Sequence, residues 1–524
     1  MTGGTSARAP WRRIDGPLWA LLGVLLVAAG TRLVILLSNL SGFDADEAVT
    51  GVMAQRILDG DFPAYFGVQS YQGALEQYIQ APLLAIFPDT PTTLRLVQLA
   101  LTLVITVLVY RLGTMVVGSR WAGVLAAALY AVGPYYSLLK GIKSHGAYDA
   151  ATIFGLLAII LALRLRKDDR WSMWVAGGIG VATGAAIWEN YTAVYLLIPA
   201  LIWALGSARG NLLRLIPAGI AGLIIGALPA IGFRVVNGPF PPSGSGTPPA
   251  LQFWERAELL LNPVLADFLG VRAGGTAIAR WAPPAIVAMV ALMILGAAAW
   301  TRRMGLWDML TLRMTRRRPV DIVILAFLIT PPIYAFAKFT WYAGEPRYLF
   351  TLYPLLAVGL AAGVLALTGR ARLVMAIVLV AASALVLGRT MQQLLPAGLA
   401  TASVSGQVVP SEDAPTLAAE LKAKGVRSVF ADYWVAYPLQ FAGGDAFVVT
   451  PNGSSHFPAY DARSYADPNA VIVAPTGAMA DATRGQLEAT GRRFQTGTVA
   501  RYTIFSRITP PLRTPQDVAA IVTR

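Results

Sequence analysis

The chain has 524 residues, of which 56% are hydrophobic and only 13% are charged. A soluble protein carries about 25% charged residues, so this composition, with a mean hydropathy of +0.58, excludes an ordinary soluble enzyme and predicts a polytopic membrane protein. The sequence contains no cysteine, which excludes disulfides and thiolate chemistry. Its two histidines are too few for a histidine-built metal centre.

Apolar runs of about 18 or more residues predict transmembrane helices, and we expect about eleven of them. The first run is longer than the apolar core of a signal peptide, and no cleavage site of small residues follows it. The expected spans are residues 17–38, 93–115, 120–138, 148–165, 171–188, 191–206, 213–234, 283–301, 320–338, 347–368 and 373–391.

The basic residues of the connecting loops predict the orientation. Loops on one side of the expected membrane hold most of the Lys and Arg, whereas the short loops on the other side hold only Lys140, Lys143, Lys338 and Arg347. Because cytoplasmic loops carry the excess, we expect a multi-pass protein of a cell inner or plasma membrane with a cytoplasmic N-terminus. The net charge of +14 is therefore mostly a topology signal, and we expect no nucleic-acid partner.

Three larger segments then lie outside the membrane: residues 39–92, residues 235–282 and the tail from about residue 393. The first contains amphipathic stretches at 48–58 and 74–87. These suit interfacial helices with one face in lipid, or loop helices that pack on the bundle, and the sequence leaves both alternatives open.

The tail differs in character from the rest of the chain. Short buried strands alternate there with helical patterns, as in a small α/β domain. We expect strands at 426–430, 446–450, 470–474 and 501–506, and helices at 414–424 and 480–490. The predicted fold class is therefore mainly α, with a transmembrane domain at 1–392 and an extracytoplasmic α/β domain at 393–524.

Three carboxylates, Asp44, Asp46 and Glu47, follow the first span closely. Charge beside hydrocarbon is costly and is often functional. The alternative is a solvated loop that starts a helix, with Asp44 or Asp46 as its N-cap. We expect the three to be catalytic, since a carboxylate can take a proton from an acceptor hydroxyl or amine.

Other polar residues gather at the external ends of the spans. Lys and Arg can hold an anionic phosphate, Arg in a bidentate manner, and a substrate with a phosphate head and a lipid tail would need basic residues above apolar helices. The candidates for donor or acceptor binding are Tyr71, Glu76, Lys143, His145, Tyr148, Glu189, Glu345, Arg347 and Tyr348.

The motifs of the first external loop resemble those of the GT-C glycosyltransferases. They are Asp46-Glu47-Ala48, Gly60-Asp61-Phe62-Pro63 and Gly67-Val68-Gln69-Ser70-Tyr71-Gln72-Gly73. Later matches are Gly184-Ala185-Ala186-Ile187-Trp188 and Glu345-Pro346-Arg347-Tyr348-Leu349-Phe350. Among these, the chain resembles the bacterial relatives of the dolichyl-phosphate-mannose protein mannosyltransferases, which include the lipid A aminoarabinose transferase. The resemblance covers most of residues 17–391 and none of the tail.

This resemblance implies an inverting transfer from a polyprenyl-phosphate-linked sugar to an extracytoplasmic acceptor, such as a cell-envelope glycan, lipid, protein or secreted metabolite. An aspartate of the first loop is the base, and the matching residue is Asp46. Asp44 supports it or binds a divalent cation, as in relatives that use one; no cofactor is certain. The chain departs from the aminoarabinose transferase in carrying Tyr71-Gln72-Gly73-Ala74-Leu75-Glu76 where that enzyme has a Lys-Pro element.

Other interpretations remain open at this point. A transporter or flippase of lipid-linked sugars is the main alternative function, and a non-catalytic assembly or sensor protein is a third. Glu76 could be an interfacial charge, His145 a headgroup contact or cap, and Arg347 a snorkelling side chain. We expect His456 at the surface of the tail, and the tail itself to bind or gate rather than to react.

Overall fold

The apolar segments of the sequence form helices in the computed structural model of the chain. The structure describes residues 15–37, 42–67, 69, 71–144, 146–166, 169–238, 251–273, 276–277, 283–337, 346–394, 409–453 and 455–522. Each segment expected to cross the membrane coincides with one helix or a pair of helices.

The first half of the chain is almost entirely helical. Its α-helices are α1 (Gly16–Leu37), α2 (Ala45–Leu58), α3 (Leu75–Leu84), α4 (Pro91–Val117), α5 (Arg120–Ala131), α6 (Tyr135–Lys140), α7 (Tyr148–Arg164), α8 (Ser172–Glu189), α9 (Val194–Ser207), α10 (Leu212–Gly226), α11 (Leu228–Asn237), α12 (Phe253–Leu259) and α13 (Leu265–Phe268).

The middle of the chain adds a small antiparallel pair and further apolar helices. These are β1 (Arg272–Ala273), β2 (Thr276–Ala277), α14 (Pro284–Thr301), α15 (Arg303–Leu310), α16 (Val320–Phe336), the 3₁₀ segment Pro346–Leu352, α17 (Tyr353–Leu365) and α18 (Gly369–Leu394).

Among the described residues, five helices are long and apolar enough to cross a membrane. They are Gly16–Leu37, Pro91–Val117, Pro284–Thr301, Pro346–Leu365 and Gly369–Gln393. A sixth results if α10 and α11, which meet at a bend of 61°, form one span. Of the other expected spans, α8 has 18 residues but is not among these five, and the rest are shorter or interrupted helices. The count of eleven therefore stays a prediction.

The bundle packs through small residues where two helices cross. Gly180 of α8 and Gly222 of α10 lie where the two backbones touch, and a Cβ atom at Gly180 would come within 2.0 Å of the Gly219 carbonyl oxygen. Small residues allow this approach, which apolar helices in lipid use for association.

The tail forms a five-stranded sheet with helices around it. Its elements are α19 (Ala414–Ala423), β3 (Ser428–Ala431), α20 (Tyr433–Gly443), β4 (Val448–Pro451), α21 (Pro458–Ala466), β5 (Val471–Pro475), α22 (Ala478–Ala489), β6 (Arg493–Val499), β7 (Tyr502–Thr509) and α23 (Pro515–Ile521). The strand order is β4-β3-β5-β7-β6, in which β3 is parallel to both β4 and β5, and β7 is antiparallel to β5 and β6.

All four expected strands and both expected helices of the tail are present. Strand β6 was missed because it is mostly exposed and lacks a buried apolar alternation. Helix α20 was missed as well, since Pro438 interrupts its pattern.

The loop helices occupy different environments. Helix α2 is buried from Glu47 to Ala54, because its far side is covered by Tyr437 and Phe441 of α20 and by Phe457. The rings of Phe43 and Phe441 lie 5.4 Å apart. For α2 the packed alternative is therefore correct, and the tail is part of what covers it.

Helix α3 keeps an exposed apolar edge. Ile79 lies on it, and Ile86 and Phe87 continue the edge just after the helix ends. The opposite face is buried through Glu76, Gln77 and Gln80. This two-faced pattern is typical of a helix at the lipid interface.

Candidate active site

Asp44 is the N-cap of helix α2. Its backbone is extended, with φ −96° and ψ 170°, and its Oδ1 accepts a hydrogen bond of 2.9 Å from the Glu47 amide. Its Oδ2 lies 2.6 Å from Nζ of Lys143. Asp44 is therefore the N-cap that the alternative expected, although its side chain is only 13% exposed rather than solvated. An acidic residue here also suits the positive end of the helix dipole. The catalytic role of Asp44 stays a prediction.

Glu47 forms a buried ion pair with a residue that the sequence did not point to, Arg95 of α4. Arg95 donates from Nε at 2.8 Å and from its terminal nitrogen at 2.7 Å, and the two side chains are only 4% and 1% exposed. Lys143 Nζ lies 3.5 Å from the same carboxylate. A bidentate pair of this kind fixes the start of α2 against the bundle.

Lys143 thus stands between two of the three predicted carboxylates. Burial lowers the pKa of its ammonium group, but the charges of Asp44 and Glu47 outweigh it and raise the pKa above the ordinary value. The side chain also donates to the Gly42 carbonyl at 2.9 Å. Lys143 is therefore a protonated cation whose ammonium group contacts Asp44, Glu47 and the Gly42 carbonyl.

Asp46 points in another direction and has a different partner. Its Oδ1 accepts a hydrogen bond of 2.8 Å from the hydroxyl of Tyr433, which is 387 residues away in the tail. Burial, followed by the Asp44 carboxylate, raises the pKa of Asp46. The Tyr433 hydrogen bond and the charges of Arg347 and Lys140 act in the opposite direction.

Tyr433 in turn contacts His456, whose Nε2 lies 3.1 Å from the hydroxyl oxygen. The expectation that His456 is a surface residue is wrong, since only 5% of it is exposed. The ring of Phe66 and the backbone of Gly67 cover it: Gly67 has φ +53°, and a Cβ atom there would meet Nδ1 of His456 at 2.4 Å. Burial lowers the pKa of His456 to about 4, so the ring is neutral.

The other predicted carboxylates form a second group around Glu76. Its Oε2 accepts from Gln98 at 2.7 Å and its Oε1 from the Ala150 amide at 3.4 Å. Burial raises the pKa of Glu76. The carboxylate of Glu189 accepts from the Leu75 amide at 3.4 Å. The charge of Glu76 acts on the Glu189 carboxylate, and the two side chains lie in one buried region near the start of α3.

Gly73 shows why this loop lies so close to α8. Its amide donates to the Glu189 carbonyl at 2.8 Å, and a Cβ atom on Gly73 would come within 2.4 Å of the Glu189 side chain. Tyr71 lies just before it and is half-buried. The loop motif noted in the sequence therefore holds the end of α8 against the start of α3.

The remaining predicted residues belong to the 3₁₀ segment Pro346–Leu352 and to the start of α7. Arg347 is half-buried and Tyr348 is buried. The ring of Tyr148 lies 5.8 Å from that of Phe350, which joins the two segments. His145, Glu345 and Lys338 lie outside the described residues.

The donor set around Asp44 does not fit a divalent cation. Its two carboxylate oxygens face an ammonium group and a backbone amide, and the neighbouring carboxylate of Glu47 is paired with Arg95. Within the part of the chain that the structure describes, no three His, Asp or Glu side chains are grouped to hold a metal. The Lys143 ammonium and the Arg95 guanidinium already lie at this cluster, and they would repel a metal cation.

The sequence and fold match known proteins in different degrees. The sequence model of the family "Dolichyl-phosphate-mannose-protein mannosyltransferase" matches residues 73–232. No curated protein sequence matches the chain. The structure of ArnT from Cupriavidus metallidurans in the apo state aligns with a TM-score of 0.58 at 12% identity, over 96% of this chain and 100% of that one.

A second structure, ArnT from Cupriavidus metallidurans bound to undecaprenyl phosphate, aligns with a TM-score of 0.59 at 11% identity, over 95% of this chain and 99% of that one. At such identity the likeness shows the fold, and it extends through the tail that the sequence motifs did not cover. The resemblance to the GT-C glycosyltransferases is thereby confirmed.

Proposed function

We propose that this chain, a membrane protein with the fold of the GT-C glycosyltransferases, is an inverting glycosyltransferase that uses a polyprenyl-phosphate-linked sugar and an extracytoplasmic acceptor. The observation that carries the proposal is the placement of Asp46: a half-buried carboxylate with a raised pKa, under the electrostatic influence of Arg347 and Lys140. The similar fold of a structure bound to undecaprenyl phosphate supports a polyprenyl-phosphate donor.

In the proposed reaction Asp46 takes the proton of an acceptor hydroxyl or amine. The acceptor atom forms a bond to the anomeric carbon from the face opposite the phosphate. The bond between that carbon and the phosphate oxygen breaks, and the lipid phosphate leaves with the electron pair. Arg347 and Lys140 stabilise the charge that develops on the phosphate, and the single displacement inverts the anomeric centre.

The alternative is a transporter or flippase that moves the lipid-linked sugar intact. The purified protein in proteoliposomes, supplied with a polyprenyl-phosphate sugar labelled in the sugar, separates the two. A glycosyltransferase releases free lipid phosphate and labels an acceptor. A flippase changes the side on which the label is accessible while the sugar-phosphate bond stays intact, and that result would overturn the proposal.

The environment of Asp46 predicts the pH dependence of transfer. The base must be ionised, and the rate falls as the pH drops through its pKa. Because that pKa is raised, we expect the acid limb of the profile above the range of an ordinary aspartate. The measurement is kcat/KM against pH for the purified enzyme. The donor is a phosphodiester and does not titrate in this pH range. An acid limb at or below the pKa range of an ordinary aspartate would contradict the assignment of Asp46 as the base.

Arg347 is proposed to bind the donor phosphate. Arg347→Ala should raise the apparent KM for the donor by about 10- to 100-fold, the equivalent of one or two charge-assisted hydrogen bonds. Arg347→Lys should raise it less, because a point charge keeps part of the attraction and loses the paired geometry. Donor titrations of both variants test this.

Arg372→Ala is the matched control, because this arginine is exposed and donates to the Leu367 carbonyl of its own segment. Its donor KM should equal that of the wild-type protein. Equal and negligible effects of the two Arg347 changes would instead indicate a side chain that snorkels to the interface.

We also propose the orientation that the basic loops predict, with a cytoplasmic N-terminus and an extracytoplasmic tail. A tail on the side of Asp46 agrees with the Tyr433 contact. Protease treatment of intact spheroplasts should cut the tail. A tail that is protected there and cut only after lysis would reverse the orientation.

A further inference from the structure

We propose that Tyr433 is a positioning residue for Asp46, held in place by His456, so that the C-terminal tail completes the active site. This inference rests on the proposed function of Asp46 as the base. Tyr433 does not touch a reacting atom; it acts through the carboxylate to which it donates at 2.8 Å.

The hydrogen-bond directions follow from the chemistry of the three groups. A tyrosine hydroxyl has one proton, and Asp46 as the ionised base can only accept, so Tyr433 donates to it. His456 must then donate to Tyr433 from Nε2, at 3.1 Å. This tautomer leaves Nδ1 without a proton, which agrees with Nδ1 having no hydrogen-bond partner among the described atoms.

The protonation states of His456 and Tyr433 agree with these hydrogen-bond directions. Burial lowers the pKa of His456 to about 4, so the ring is neutral and carries one proton. Burial, and next the Asp46 carboxylate, raises the pKa of Tyr433 well above its ordinary value. Tyr433 therefore keeps its proton near neutral pH, where it can donate to the ionised Asp46.

The sheet topology explains why these two residues meet. Tyr433 comes two residues after β3 ends and His456 follows β4, and β3 and β4 are parallel neighbours. The carboxyl ends of parallel strands lie at one edge of a sheet, where ligand sites of open α/β sheets are found. In this protein that edge carries Tyr433, whose side chain contacts Asp46 of α2.

The position of the Tyr433 ring is fixed by its surroundings. Asp432 caps α20 by accepting from the Trp434 amide at 2.9 Å. The Tyr437 hydroxyl accepts from the His456 amide at 2.7 Å, and the rings of Tyr433 and Tyr437 lie 5.1 Å apart. A donor held this firmly keeps Oδ1 of Asp46 in place, and the other oxygen is the one that would take the proton of the acceptor in the proposed reaction.

The main test is Tyr433→Phe, which removes only the hydroxyl. We expect kcat to fall by about tenfold, as for the loss of one hydrogen bond to a charged group, with little change in the donor KM. The acid limb should also move to higher pH, because the lost bond favoured the ionised carboxylate. Asp44, Arg347 and Lys140, the other charged groups that influence Asp46, are unchanged in this variant.

Tyr460→Phe is the matched control. Tyr460 packs in the same interface, against Phe457 at 5.3 Å between ring centres and against the Arg56 guanidinium, and it also carries a hydroxyl. This variant should retain the wild-type kcat and acid limb. A general loosening of the tail by loss of a hydroxyl from a partly buried tyrosine would affect both variants alike and would overturn the proposal.

His456→Phe, alone and combined with Tyr433→Phe, tests whether His456 acts on Asp46 through Tyr433. His456→Phe should shift the acid limb upward by less than Tyr433→Phe does, because Tyr433 remains. Adding His456→Phe to Tyr433→Phe should change kcat and the limb no further, since His456 acts only through Tyr433. Additive effects would show that His456 acts on the site by another route.

A measurement without turnover separates this inference from the proposed function. The carboxyl band that Asp46→Asn removes in difference infrared spectra reports the titration of Asp46 directly. In Tyr433→Phe this titration should lie at higher pH, whether or not a donor is known. An unchanged titration, or a variant that transfers faster than the wild-type protein, would overturn the positioning role. A wild-type protein that transfers no sugar, with the titration still shifted, would overturn only the proposed function.

Discussion

Asp46→Asn should lower the rate of sugar transfer by about 10²–10⁴-fold, the range expected for loss of a general base, with the protein still folded and inserted. An amide cannot accept the proton of the acceptor, yet it has nearly the shape of the carboxylate. Its carbonyl oxygen can still accept the hydrogen bond from Tyr433 that Asp46 accepts at 2.8 Å.

The measurement is single-turnover transfer from a polyprenyl-phosphate sugar to the acceptor, with the purified variant in detergent. Asp59→Asn is the matched control, since Asp59 is exposed at the other end of the same helix and should give the wild-type rate. Near-normal turnover in Asp46→Asn would remove the base assignment and with it the positioning role of Tyr433.

The three neighbouring carboxylates are separated by their partners, which the sequence could not distinguish. Asp44 caps the helix and pairs with Lys143. Glu47 pairs with Arg95. Asp46 instead accepts from a neutral hydroxyl, so its charge is less compensated at short range and its pKa is raised by burial. A base that removes a proton from a hydroxyl or amine benefits from a raised pKa.

The parts of the fold that follow from local patterns were predictable. The apolar runs placed the helices, and buried runs in the tail placed β3, β4, β5 and β7. The loop motif also had a local signature, because Gly67 and Gly73 are required where the backbone passes His456 and Glu189. Periodicity and glycine spacing carry this information within a few residues.

The long-range part of the site was not predictable from one sequence. The contact from Tyr433 to Asp46 spans 387 residues. No motif in the sequence around Tyr433 indicates that its hydroxyl belongs to a functional site. The strand pattern did contain one usable signal: residues just after two parallel strands share an edge. Applied to the expected strands at 426–430 and 446–450, that rule would have drawn attention to Tyr433 and cast doubt on an exposed His456.

Glu47→Gln should destabilise the protein by roughly 3–5 kcal/mol, the cost of leaving one partner of a buried ion pair uncompensated. The pair with Arg95 is bidentate, at 2.8 and 2.7 Å, and nearly inaccessible to water. The neutral amide removes the carboxylate that pairs directly with the Arg95 guanidinium, which keeps the Gly42 carbonyl and the more distant charge of Asp44. The measurement is the midpoint of thermal unfolding in detergent, with the yield of folded protein beside it.

The control for Glu47→Gln is a surface pair between the last turn of the same helix and the loop that follows it. Asp61→Asn removes the partner of Arg56, where the two side chains are 47% and 27% exposed, and exposed pairs contribute about 0–1 kcal/mol. Replacing the buried pair by apolar residues, as in Glu47→Leu with Arg95→Met, should recover most of the lost stability because both charges are gone. If Glu47 is instead part of the chemistry, Glu47→Gln will unfold at the wild-type temperature and transfer no sugar, and its role as an anchor of α2 would then be wrong.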